Sequence, residues 1–253
     1  MESGSARARS NSGGGMSRKT SRGDGERCVV IFTGPSLHPS EAASLLDAEY
    51  RPPIKRGDLV PLVHSKPRAV GIIDGEFYQS LAVSPKEVLS LLEAGVAVYG
   101  AASMGALRAV ELWRYGMVGV GSVFRLFRRG VLDADDEVAL AYSSETYRAV
   151  SEPLVNTRYQ LRAAARQGIL TRTEAVAIVL GLKDVYFPER TRELLLEIAG
   201  RQIGFERTRR LHAFLVGGTP KVKEQDARLL VERIRRDVEK NMPPANTFAA
   251  THA

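Results

Sequence analysis

Short apolar runs that alternate with helical stretches and stop at small or polar residues confine the first half of this chain to an α/β sheet. Cys28-Val-Val-Ile-Phe32 ends at Thr33-Gly34-Pro35-Ser36, and Ala69-Val-Gly-Ile-Ile73 ends at Asp74-Gly75. Val96-Ala-Val-Tyr99 runs into Gly100-Ala-Ala-Ser-Met-Gly-Ala106, with a helix predicted to continue through 107–115. Between the first two runs, a helix capped by Ser40 and a short strand near 48–50 are predicted, before the breaker Arg51-Pro52-Pro53. Ahead of Val96, Ser84-Pro85-Lys86-Glu87 reads as a capping box with proline in the first turn. The expected architecture is a parallel sheet with flanking helices, Rossmann-like or flavodoxin-like. Ligands of such sheets sit beyond the carboxyl ends of the strands, where the three loops converge.

From Tyr147 the pattern changes to helix after helix, over roughly 148–167, 172–180, 189–198, 205–215 and 223–241. Four segments follow: a disordered tail at 1–27, an α/β core domain at 28–146, a helical subdomain at 147–242 and a loose tail at 243–253. The first segment is Ser, Gly and Arg with almost nothing apolar, so it cannot bury a core.

Composition excludes several classes of function. No apolar run approaches the roughly 20 residues that span a bilayer, and no apolar stretch follows the N-terminal arginines as in a secretory signal. Cys28 is the only cysteine, which fits a cytoplasmic protein and leaves no Cys-rich zinc site. The formal net charge is +7. Part of it lies in the first segment, where Arg7, Arg9, Arg18, Lys19, Arg22 and Arg27 outnumber Glu2, Asp24 and Glu26. Without an RNA-binding signature the excess reads as a solvated basic face, and nucleic acid is not an expected partner. Neither a Walker A sequence nor a G-x-G-x-x-G turn is present, so no cofactor and no metal are assigned.

The turn at Val98–Leu107 has the order of a nucleophile elbow: strand, tight turn, Ser103, a glycine two residues on, helix. A serine there would present its hydroxyl at the sheet edge, beside unpaired N–H groups that favour developing negative charge. The glycine expected two residues before the serine is Ala101 instead. Ser103 therefore has two readings, a nucleophile or a helix cap. The four histidines (His38, His64, His212 and His252) are poorly placed for a triad, which leaves a lysine or carboxylate base. Lys86 is the candidate lysine, alternatively a solvated first-turn residue. Arg108 and Glu111 face the cleft or pair on the surface.

The blocks Gly34-Pro-Ser-Leu37, Pro52-Pro53 with Arg56-Gly-Asp58, Gly71-Ile-Ile-Asp-Gly75 and Lys86-Glu-Val-Leu89 resemble the TfuA-like family. So do Gly100–Ala109 with Glu111, Gly116–Gly121 and Asp135–Ala139, and the resemblance covers roughly 29–142 with an extension through Glu152–Asn156. It implies a partner role beside a YcaO enzyme, which activates a backbone amide oxygen with ATP, in thioamidation and biosynthesis of ribosomally made modified peptides. It also implies sulfide release from a thiocarboxylated ubiquitin-like sulfur carrier, with the substrate peptide or protein reached via YcaO. On that reading Ser103 attacks the thiocarboxylate, and Lys86 or Asp74 manages its proton. N–H groups near Met104 and Ser36 form the oxyanion hole, Arg108 holds the carrier's anionic end through a fork-like contact, and Gly105, Gly75 and Glu111 are further oxyanion or substrate-binding residues. The alternative is a non-catalytic adaptor that binds YcaO and the carrier or substrate peptide.

Overall fold

β-Branched residues fill strands β1 (Val29–Phe32) and β3 (Ala69–Ile72), and every residue of both is buried, as strands covered on both faces must be. The computed structural model describes residues 28–77, 82–219 and 221–240, so the tails expected at 1–27 and 243–253 lie outside the described residues. β2 (Glu49–Arg51), β4 (Ala97–Gly100) and β5 (Val118–Gly119) complete a five-stranded sheet of order β2-β1-β3-β4-β5. All pairs are parallel, with Val29 opposite Ala69, Ala69 opposite Ala97 and Tyr99 opposite Val118. This is the flavodoxin-like order, whose ligand crevice lies at the switch point between β1 and β3.

The alternation of side chains along the strands builds two apolar layers. Val30, Phe32, Val70, Ile72 and Val98 face α2 (Val60–Ser65), α3 (Pro85–Glu93), α4 (Met104–Leu112) and α5 (Gly121–Arg128). On the other face Val29, Ile31, Ala69 and Ile73 meet α1 (Pro39–Ala43) and α10 (Val222–Glu239). Helices α6 (Leu154–Arg166), α7 (Arg172–Lys183), α8 (Arg192–Ile203) and α9 (Phe205–Val216) enclose a further core around Leu161, Ile178 and Leu211.

Several boundaries differ from expectation. The α3 capping box forms as predicted, with Ser84 accepting from the Glu87 N–H and Glu87 bonding back to Ser84. The cap of α1 is His38 rather than Ser40, its Nδ1 accepting from the Ser40 N–H at 3.3 Å. α6 starts at Leu154, not at 148, because Pro153 fixes its own backbone and turns the preceding residue away from helix. α2, α5 and the two-residue β5 were not anticipated, being too short for a periodic signal.

The expected helical subdomain does not hold α10. That helix returns to the sheet and buries Ala227, Leu230, Val231 and Ile234 against it. Gly71 permits the approach: a Cβ there would stand 2.8 Å from Ile234 Cδ1 and 3.0 Å from Leu230 Cδ2. Asp226 ties α10 to α5 by accepting from the Ser122 and Val123 N–H groups at 2.8 and 2.7 Å. Burial pushes its carboxyl above the usual range, opposed by these two bonds.

Candidate active site

The turn between β4 and α4 is tight enough to strain the backbone. Ala101 N–H donates to Ile72 O at 3.1 Å, which fixes the end of β4 beside β3. Ala102 then takes φ 64°, and Ser103 N–H reaches back to Ala101 O at 2.7 Å, closing a γ-turn with a left-handed alanine at its centre. Such a turn is rare and costs about 1–3 kcal/mol, a cost that clusters at functional sites. Gly105 seats the start of α4 directly on the strand ends: its N–H donates to Ile73 O at 3.3 Å. A Cβ on Gly105 would lie 1.8 Å from Ile72 O. Neither backbone can yield, so Gly105→Ala is expected to cost about 3 kcal/mol or more, read as a lowered urea midpoint.

Ser103 occupies the N-cap position of α4, yet its side chain makes no capping bond. It is 2% exposed, and among the described residues its Oγ has one hydrogen-bond partner, the carbonyl oxygen of Val138, at 3.5 Å, the outer limit of a hydrogen bond. The same carbonyl accepts from Lys223 Nζ at 2.6 Å. Serine and lysine thus converge on one oxygen from chain positions far apart. Lys223 is buried at the first turn of α10, where its own N–H donates to Asn156 Oδ1 at 3.2 Å. Burial lowers the Lys223 ammonium from 10.5 to about 8, partly opposed by the negative charge of Asp74.

Asp74 stands just past the end of β3, also buried, and holds the loop after β1. It accepts from Ser36 N–H at 2.9 Å and from Ser36 Oγ at 2.6 Å. Asp74, Gly75, Ser103, Pro35 and Tyr142 line an open cleft of about 290 Å³ at the carboxyl ends of the strands. At its rim Tyr142 OH donates to Glu76 Oε1 at 3.0 Å, and burial with that carboxylate raises the phenol well above its ordinary value.

The model of the TfuA-like protein family matches from Asp74 to Thr191. Residues 74–191 belong to the TfuA-like family. No curated protein matches the chain. The TfuA-like span contributes Asp74, Ser103 and Val138 to the site, whereas Ser36 and Lys223 come from outside it.

Within the TfuA-like span two arginines hold the segment that leads into Val138. Arg190, 2% exposed, donates to Asp136 O at 2.8 Å, to Val185 O at 2.9 Å and to the Asp136 carboxylate. Glu137, 1% exposed, takes a bidentate contact from Arg158 at 2.6 and 2.9 Å. Asp136 and Glu137, the two residues before the carbonyl that meets Ser103, are thus each held by an arginine.

The other residues singled out in the sequence divide. Met104 and Gly105 are buried beside Ser103, but the Gly105 and Ser36 N–H groups are already bonded, to Ile73 O and to Asp74, and are not free oxyanion donors. The Met104 N–H has no partner among the described residues. Lys86 is exposed in the first turn of α3 and does not line the cleft. Arg108 donates to Val83 O at 2.8 Å and to both Glu111 oxygens, an ion pair that clamps α4 to the segment before α3 and does not face the cleft. Among the described residues no histidine lines the cleft. Among the described residues no cluster of three His, Cys, Asp or Glu side chains could hold a metal, and no helix is long and apolar enough to cross a membrane.

Lys223 was missed in the sequence because it sits in a stretch assigned to a separate subdomain. A signal was there. Along α10 the buried positions run Val222, Asp226, Ala227, Leu230, Val231 and Ile234, and Lys223 falls on that stripe at the spacing of Ala227 and Leu230. A lysine on a helix's apolar face needs a reason.

Proposed function

We propose that this chain acts beside a YcaO enzyme in backbone thioamidation, releasing sulfide from a thiocarboxylated ubiquitin-like carrier, with Ser103 as nucleophile and Lys223 as its base. The observation that carries the reading is the shared Val138 carbonyl: a loosely held serine hydroxyl and a buried lysine of lowered proton affinity meet there. Activation of serine by a nearby unprotonated amine is an established solution to nucleophilic catalysis.

The steps balance. Neutral Lys223 takes the Ser103 proton as Oγ bonds to the thiocarboxylate carbon. The carbon–sulfur bond of the tetrahedral intermediate then breaks as the Lys223 ammonium returns that proton to the departing sulfur, which leaves as hydrosulfide, so that an acyl-serine and a neutral lysine remain. The Met104 N–H, at the amino end of α4, supports the oxyanion, a contact of a type that contributes about 3–4 kcal/mol. Water, deprotonated through Lys223, attacks the ester and returns the carrier carboxylate and free Ser103. Asp74 holds the Ser36 loop as the wall of the cleft that receives the carrier's tail.

The test uses the chain alone with thiocarboxylated carrier and no YcaO. Sulfide, trapped colorimetrically, is expected to form in multiple turnovers, and acid-quenched samples should hold carrier acylated on the peptide containing Ser103. Sulfide formation only when YcaO is added, with no acyl adduct, would assign the chain the adaptor role instead.

A further inference from the structure

The geometry points to the groove between α6 and α7 as a docking site for an acidic, amphipathic helical segment of a partner protein. Arg158, Arg162 and Arg166 follow one another at one-turn spacing along α6, and Arg172 at the start of α7 adds a fourth cation. Between them lies a concavity of about 430 Å³ with an apolar floor of Leu161, Ala165, Ala175, Val176 and Val179. Val176 is 51% exposed there, without an apolar neighbour to cover it fully.

An arginine row is ordinarily a solvated face, and three features set this one apart. Like charges one turn apart disfavour the helix that carries them, by a few tenths of a kcal/mol per pair. Here only Arg158 is relieved, by Glu137; Arg162, Arg166 and Arg172 have no carboxylate partner among the described residues, and no carboxylate lines the groove. The floor is apolar and concave, the shape that accepts the ridge of a helix.

Charge selects the occupant. A second copy of the chain carries the same +7, so net charge opposes its docking here. The chain's own ends do not fit either, since residues 241–253 contain no acidic side chain and residues 1–27 are basic on balance. A single nucleic-acid strand would be expected to stack on aromatic rings, and none lines the groove. A helix with carboxylates one turn apart and apolar residues on the adjoining flank satisfies both the arginine row and the floor. The groove shares no lining residue with the Ser103 cleft, so the proposal stands whether or not Ser103 is a nucleophile.

The experiment is fluorescence anisotropy on the full chain with a labelled synthetic helix of about four turns, glutamates one turn apart on one face and leucine and alanine beside them. Saturable binding is expected, weakened about tenfold or more by Arg162→Glu with Arg166→Glu, and similarly by Val176→Asp or by a glutamine version of the peptide. All three positions are exposed, and unchanged circular dichroism melts confirm that the variants fold. Absence of binding at low salt overturns the proposal. So does binding that ignores Val176→Asp and is displaced equally by a single-stranded oligonucleotide of the same charge, which marks a general polyanion surface.

Discussion

Ser103→Ala is expected to abolish sulfide release from a thiocarboxylated carrier, by about a thousandfold or more, while leaving the melting temperature almost where it was. The two halves of that expectation come from the same geometry. The hydroxyl caps no helix, and its one hydrogen-bond partner among the described residues, Val138 O, stands at the limit of such a bond. Removing it therefore costs little, at most about 1 kcal/mol. The backbone strain at Ala102 and the seat of Gly105 are untouched by the substitution, so the turn is kept. A catalytic serine and a structural one predict opposite pairs of results. Loss of release at unchanged stability identifies the nucleophile. Native release from the alanine variant, with YcaO still supported, would leave the adaptor function alone standing.

The difference between what was legible and what was not follows the reach of sequence patterns. β1, β3 and β4 and the α3 capping box were plain, because each is written in consecutive residues: a β-branched run, or a serine followed three places later by glutamate. The elbow at Ser103 was legible for the same reason, small residues crowded at the end of a strand. Its chemistry was not. Whether Ser103 caps α4 or stands free depends on the rotation that Ala102 imposes, and a γ-turn around alanine has no signature in residue type. Lys86 lay close to the predicted loops in sequence and points to solvent, while Lys223 lay far away and was brought in by the return of α10 across Gly71. The sequence leaves Arg108 and Glu111 open as cleft residues or a surface pair, and the pair wins because three residues on a helix bring them into direct contact.

Lys223 carries the second large expectation, and it separates a base from a fixed cation. Lys223→Met should slow release about 10²–10⁴-fold, the usual contribution of a positioned proton acceptor. Lys223→Arg should be nearly as slow, since a guanidinium holds its charge at every accessible pH and cannot accept the serine proton. An active arginine variant would show that the charge alone matters and would remove the base from the mechanism. The native rate should rise with pH and level off above about 8, where burial has placed the Lys223 titration. Stability should follow the same group. Its folded value lies below the unfolded 10.5, so between about 8 and 10.5 the unfolded chain binds more protons than the folded one. Stability therefore rises across that window and is insensitive to this lysine below it. The full change is roughly 3 kcal/mol at about 1.4 kcal/mol per unit. Denaturation of the native chain and Lys223→Met at pH 7.5 and pH 10 checks it: the native chain gains on the variant as pH rises. A gap that stays constant would mean that Lys223 holds its proton in the folded protein as firmly as in the unfolded chain. The free amine would then be scarce at neutral pH, and Lys223 would be removed as the base.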